Sequence, residues 1–222
     1  GREDHILILS EGGKVFTKGD NLAGELGHGI MEDSGRPSTL NNNFGKIANL
    51  NDVVITSVSA GYYHSLALNN SGRVYSFGLN NFGQLGRVIN GSDGFHPVLI
   101  PELHHIKCIA AGGLHSIVVD IHGRGFSFGS ILDGQCGLGD YDIDKSGKAE
   151  KPTRIESLNN ISAIAAGLEF SLFLTMTGKV YTCGNNESYQ LGYHTEEYCC
   201  GLPRIVDVLK HVRVSKISSD YY

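Results

Sequence analysis

Four times along the sequence, a short apolar strand, a tight polar turn and a returning strand precede a segment of the Gly-Gln-Leu-Gly type. The clearest copy runs Gly61-Tyr62-Tyr63-His64-Ser65-Leu66-Ala67-Leu68, then Gly72-Arg73-Val74-Tyr75-Ser76-Phe77-Gly78, then Gly83-Gln84-Leu85-Gly86. The next reads Gly112-Gly113-Leu114-His115-Ser116-Ile117-Val118-Val119, Gly123-Arg124-Gly125-Phe126-Ser127-Phe128-Gly129 and Gly134-Gln135-Cys136-Gly137. After it come Gly167-Leu168-Glu169-Phe170-Ser171-Leu172-Phe173-Leu174, Gly178-Lys179-Val180-Tyr181-Thr182-Cys183-Gly184 and Tyr189-Gln190-Leu191-Gly192. The most divergent copy opens the chain, with His5-Ile6-Leu7-Ile8-Leu9, Gly13-Lys14-Val15-Phe16-Thr17-Lys18-Gly19 and Gly24-Glu25-Leu26-Gly27. The turn glycines Gly13, Gly72, Gly123 and Gly178 are separated by 59, 51 and 55 residues. Strand-rich units with a period near fifty residues read as propeller blades. The repeats are assigned as approximately 1–61, 62–112, 113–167 and 168–222, in one all-β domain.

Each copy has the same internal grammar. In the strand His64-Ser65-Leu66-Ala67-Leu68, residues two apart share a face. The turns that follow are Ser10-Glu11-Gly12-Gly13, Asn69-Asn70-Ser71-Gly72, Asp120-Ile121-His122-Gly123 and Thr175-Met176-Thr177-Gly178. Each closes on glycine, which tolerates φ > 0, so the next strand returns as a β-hairpin. The glycines of the Gly-Gln-Leu-Gly segment let backbone approach backbone at a crowded blade edge. Loops of variable length then span 28–36, 87–96, 140–151 and 193–202. Each ends near a proline (Pro37, Pro97, Pro152, Pro203) that sets up an extended strand. The first copy holds extra sequence at Asn41-Asn42-Asn43-Phe44-Gly45-Lys46. In register with the repeat, the segment from Ile217 to Tyr222 falls where Val58 to Tyr63 does. The last strand is thus able to complete the first blade and protect an open edge, and a cut from a longer ring has the same phase.

Composition narrows the function classes. The formal charge of −5 has no basic stripe: residues 62–112, with three basic against two acidic residues, are the one repeat with a positive balance. General nucleic-acid binding is therefore disfavoured and a basic protein partner suits the surface better. No apolar run reaches the roughly 18 residues of a membrane span. Five cysteines form no CxxC pair, which gives no disulfide framework or zinc site and fits a reducing, intracellular compartment, cytoplasmic or nuclear.

The glycine, His-Ser, Gly-x-Val-Tyr and Gly-Gln-Leu-Gly pattern resembles the regulator of chromosome condensation repeat family. That resemblance covers nearly the whole chain and implies a β-propeller of four-stranded blades, seven in the family's usual ring, of which four repeats are present here. Where the family often has Trp, before the glycine ending the third segment, this chain has Lys18, Phe77, Phe128 and Cys183. The resemblance implies a non-catalytic interaction propeller: the founding member is a guanine-nucleotide exchange factor for the Ran GTPase. The alternative it implies is a recruiting scaffold in a larger ubiquitin ligase, kinase, ciliary protein or bacterial effector. The plant ultraviolet receptors of the family sense light through tryptophans, and this chain has none.

Residue chemistry offers little to an enzymatic reading. His5, His64 and His115 recur at one repeat position. Blade-width separations are too large for one ion with nitrogen ligands at ~2.0–2.1 Å, so each imidazole is expected to bond within its own blade. Gly134 to Gly139 lacks the spacing and following helix of a phosphate loop. The run Asp140-Tyr141-Asp142-Ile143-Asp144 departs from a calcium loop at the positions of its glycine and its last ligand. No catalytic residue, cofactor or metal ligand is assigned. The candidate partner-binding positions are the loop residues Glu32, Asp33, Asn42, Phe44, Asp140, Asp142, Asp144, Glu196 and Glu197, since variable loops on a repeated frame carry recognition.

Overall fold

The computed structural model describes residues 5–29, 43–91, 93–139, 146–193 and 197–220. Its regular elements are strands, apart from three short 3-10 turns. A three-stranded sheet comprises β1 (His5–Leu9), β2 (Val15–Gly19) and β3 (Gly45–Lys46). A four-stranded sheet follows with β4 (Ile55–Ala60), β5 (His64–Asn69), β6 (Val74–Gly78) and β7 (Val98–Leu99). The next holds β8 (Ile106–Ala111), β9 (His115–Asp120), β10 (Gly125–Ser130) and β11 (Lys148–Arg154). The last holds β12 (Ile161–Ala166), β13 (Phe170–Thr175), β14 (Val180–Asn185) and β15 (Cys199–Ile205). Every neighbouring pair is antiparallel and consecutive in sequence, which is the meander of a propeller blade.

The hairpins follow from the turn residues. Asn69 Oδ1 accepts from the backbone N–H groups of Ser71 (3.0 Å) and Arg73 (2.8 Å). Asp120 Oδ1 does the same for His122 and Arg124, while Ser10 Oγ and Thr175 Oγ1 accept from Lys14 and Lys179. These side chains replace missing backbone partners at the turn. Gly72 closes its turn at φ 71°, where a Cβ would lie 2.9 Å from His105 Cα. Both the conformation and the space exclude a side chain there.

The hydrophobic core lies between sheets rather than within them. Leu66, Leu68 and Val74 of the second blade meet Ile106, Val118 and Phe128 of the third. On the opposite face of the second blade, Ala67 and Phe77 meet Val15 and Ile47 of the first. Ile117 and Val119 meet Ile161, Phe173 and Cys183 across the next boundary. With both faces covered, β5 is buried almost end to end, which is why its residues alternate in direction but hardly in polarity. The first strands lie beside one another: Ser59 Oγ of β4 accepts from Ala111 N–H of β8, and Lys107 Nζ of β8 donates to Ile161 O of β12. Blades whose first strands converge in this way fan out radially.

The chain's last segment differs from the clasp the sequence permits. Among the described residues β1 pairs with β2 alone, and residues 213–220 form no strand. Instead Val214 N–H donates to Gly178 O at 3.0 Å, repeating the bonds Ile55–Gly13, Ile106–Gly72 and Ile161–Gly123 that join successive blades. Val214 and Ile217 pack on Leu174, Val180 and Val206 of the fourth blade. The segment therefore continues the radial pattern rather than returning to the first blade.

Candidate functional site

The recurring His-Ser pair holds blades together. His5 Nε2 donates to Ser65 Oγ, His64 Nε2 to Ser116 Oγ and His115 Nε2 to Ser171 Oγ, each at 2.8 Å. Each serine belongs to the blade after its histidine. In turn Ser65 Oγ donates to Glu25 O (2.8 Å), Ser116 Oγ to Gln84 O (2.8 Å) and Ser171 Oγ to Gln135 O (2.6 Å). A hydroxyl has one hydrogen, and the carbonyl takes it, so Nε2 carries a proton; burial, which disfavours a second proton on Nδ1, keeps the ring neutral. His64 Nδ1 and His115 Nδ1 accordingly stay buried without a partner. Burial holds both imidazoles down at about 3, with His64 further lowered by His115 and His5. The expectation of bonds inside each blade is thus corrected: the alternation of β5 sends His64 to the same side as Leu66 and Leu68, toward the next blade. The glycine three residues upstream is there for the ring, since a Cβ on Gly112 would sit 2.2 Å from His115 Cε1.

A second set of repeated hydroxyls locks the Gly-Gln-Leu-Gly loops. Thr17, Ser76, Ser127 and Thr182 donate to the carbonyls of Leu26, Leu85, Cys136 and Leu191. Gln84, Gln135 and Gln190 accept, through Oε1, from the backbone N–H two residues upstream, and Glu25 Oε2 does so in the first copy. The loop glycines abut the neighbouring blade: a Cβ on Gly83 would meet Glu150 Cα at 2.7 Å, and one on Gly86 would meet the Phe128 ring at 2.8 Å. Likewise Gly134 abuts Gly201, so this loop is a blade contact and not a phosphate cradle. Cys136 and Cys183 fill the core positions held elsewhere by leucine and phenylalanine, and burial pushes the Cys136 thiol up to about 12.

The repeated residues are thereby committed to the frame, and the long variable loops gather at one end of the strands. The hairpin turns lie at one end; the links before β5, β9 and β13 and the described parts of the long loops after β2, β6, β10 and β14 lie at the other. Two of the residues named from sequence are described there. Phe44 is exposed beneath Lys18 Nζ, 5.5 Å from its ring centre, and Glu197 is exposed in the loop before β15. Glu32, Asp33, Asn42, Asp140, Asp142, Asp144 and Glu196 lie outside the described residues.

On this loop face the fold assembles charges from separate loops. Asn185 Nδ2 donates to Glu169 Oε2 at 3.2 Å. Burial raises the Glu169 carboxyl, and the charges of Asp133 and Glu187 raise it further. Burial likewise raises Asp133, with Glu187 adding to it. Asp133, Glu169 and Glu187 thus form an acidic rim over the third and fourth blades. One sequence signal existed, because Glu169 stands where Tyr63 and Leu114 stand in the other copies. The position after each Gly-x-Leu-Gly-type segment varies in the same way, as His28, Arg87, Leu138 and Tyr193. Among the described residues no three His, Cys, Asp or Glu side chains are grouped to hold a metal ion, and no helix is long and apolar enough to cross a membrane.

A family model described as the RCC1-like domain matches residues 2–220. The chain is 36% identical over 196 residues to the probable E3 ubiquitin-protein ligase HERC6 of Homo sapiens, covering 86% of this chain and 18% of that protein. It is 31% identical over 224 residues to the protein pim1 of Schizosaccharomyces pombe, covering 91% of this chain and 39% of pim1. Against the ultraviolet-B receptor UVR8 of Arabidopsis thaliana it is 35% identical over 193 residues, covering 85% of this chain and 41% of the receptor. It spans less than half the length of each of these relatives. Among solved structures, yeast RCC1 (Prp20) bound to Kap60 superposes with a TM-score of 0.81 at 24% identity, covering 99% of this chain and 51% of that one. Prp20p from Saccharomyces cerevisiae, described with its binding properties to Gsp1p and histones, gives 0.80 at 24% identity, covering 99% of this chain and 52% of that one. These structures share the propeller fold, and the chain supplies about half of their length.

Proposed function

The chain belongs to the RCC1-like domain family, and we propose that it is a non-catalytic protein-interaction propeller whose loop face docks a folded partner and regulates a Ran-like small GTPase. One observation carries the reading. The recurring His, Ser, Thr and Gln side chains are bonded inside the frame, so recognition falls to the variable segments, and the longest of these are on the loop face. The acidic rim suits a basic partner surface, and Prp20p is described as binding Gsp1p and histones. An exchange factor breaks no bond; it favours the nucleotide-free GTPase over the loaded one, and the two ligands are linked. The test is capture of small GTPases, nucleotide-free and GTP-loaded, on the immobilised 222-residue chain. Preferential capture of the nucleotide-free form is expected, and equal or absent capture would reject the GTPase role.

A second reading has its own support. The likeness to a ligase of which this chain spans only a small part favours a recruiting module within a longer protein. In that case the loop face binds a substrate protein, and capture is indifferent to nucleotide.

A further inference from the structure

A cleft of about 570 Å³ opens on the loop face, between the loops after β2 and β6 and strand β11. We propose that it binds a short acidic peptide segment in which an aliphatic side chain stands beside a carboxylate. The proposal rests on the loop face being the docking face, and adds the chemistry of what docks there.

Arg87 lines the cleft and is only 6% exposed. Its Nε donates to Ser76 Oγ (3.2 Å), and its Nη2 to the carbonyls of Ser76 (3.1 Å) and Asp93 (3.0 Å). Those partners are neutral. Among the described residues no carboxylate forms an ion pair with this guanidinium, and Nη1 keeps its hydrogens unengaged. Burial lowers the arginine's pKa, with the Asp93 charge acting in the opposite direction. A cation removed from water and left without a paired anion gains more from an incoming carboxylate than a surface arginine does. The frame does not demand arginine, since the same repeat position is His28, Leu138 and Tyr193 elsewhere.

The surroundings fix the class of ligand. Leu22 and Val88, 73% and 71% exposed, stand at the cleft with Ile89 and Phe95, which gives an aliphatic side chain apolar walls. Lys151 adds a second cation; Glu150, also in the lining, is tied to Lys148 at 2.7 Å. Within the lining Arg87 and Lys151 stand against one carboxylate, Glu150; with the flanking Lys148 and Asp93 added, three cations stand against two carboxylates on a chain that is negative overall. The volume is in the range of small-ligand pockets, enough for a few residues of an extended peptide.

The experiment is selection of a randomised peptide library on the 222-residue chain, followed by fluorescence anisotropy of the enriched peptides. Enrichment of Asp or Glu within two positions of Leu, Ile, Val or Phe is expected. Arg87→Gln should weaken those peptides at least tenfold. Because Arg87 also ties the loop that follows it, Val88→Glu and Leu22→Glu serve as variants that keep the arginine and oppose the ligand by charge at exposed positions; each should weaken binding by a similar factor. No enrichment, enrichment without acids, or affinity unchanged in Arg87→Gln and Val88→Glu would overturn the site. Retained GTPase capture beside a failed selection rejects the cleft and leaves the interaction reading standing. A successful selection beside failed GTPase capture rejects the GTPase role alone.

Discussion

Glu25 stands where the other three copies have glutamine, and it is almost wholly buried. Burial raises its carboxyl above 4.5, with backbone hydrogen bonds only partly opposing and the charge of Asp20 adding to the rise. A carboxyl raised in the folded state costs stability once ionised. The cost is complete above the folded pKa and gone below the unfolded value, so stability increases as pH falls through that window. Glu25→Gln keeps an oxygen for Ala23 N–H, as Gln84 does for Phe82. It should raise stability by about 1 kcal/mol at pH 7, a gain that shrinks toward pH 4.5 in urea titrations. His64 and His115 act in the opposite sense. With folded values of about 3 against 6.5, they leave stability intact above pH 6.5, and it is lost as acid protonates the unfolded chain. Each imidazole contributes a slope of up to about 1.4 kcal/mol per pH unit across that window. His115→Phe, which copies what Phe170 does in the fourth blade, should flatten the stability curve between pH 6.5 and 4 while lowering stability at pH 7. An unchanged slope would mean that His115 is solvated.

Among elements, the hairpin and the blade boundary make different demands. In the β5–β6 hairpin, Gly72→Val combines a left-handed φ with a contact against His105 Cα, and should cost about 1–3 kcal/mol in thermal or urea melts. Boundaries depend on coupled bonds instead. Ser116 both accepts from His64 and donates to Gln84 O, so His64→Phe and Ser116→Ala should be non-additive by about 0.5–3 kcal/mol in a double-mutant cycle. Additive losses would show that the two residues stabilise separately. The contrast also marks what the sequence could tell. Hairpins and turn glycines were legible because each is a local pattern a few residues long, and the period because those patterns recur every 51 to 59 residues. The partners of His64 were not, because alternation along β5 gives two faces without saying which neighbour lies against each. The acidic rim and the Arg87 cleft were less legible still: they join loops distant in the chain, and their trace is a repeat position that fails to repeat, as at Glu169 and Arg87.

Across the whole molecule, the loop face carries opposite charge on different blades. The second blade brings the Arg87 cleft, with Lys151 reaching it from the third, while Asp133, Glu169 and Glu187 line the third and fourth. A partner attracted to such a face is oriented before it touches, because a basic surface seeks the rim and an acidic segment seeks the cleft. Exposed charges act over roughly a Debye length, about 8–10 Å at physiological salt, so they influence encounter more than the docked state. Glu187→Lys alters an exposed charge that also raises Glu169 and Asp133, so one substitution weakens the whole rim. With a captured basic partner, that variant should slow association severalfold while changing dissociation little, and the difference should shrink as salt rises from 50 to about 500 mM. Val88→Glu, at the other pole, should slow association by repelling the acidic segment and also speed dissociation, because it opposes a contact formed after encounter. Stopped-flow or surface-binding kinetics separate the two effects. If Glu187→Lys and Val88→Glu both change only dissociation, and salt has no influence on the association rate, the face does not steer its partner and the rim has no part in recognition.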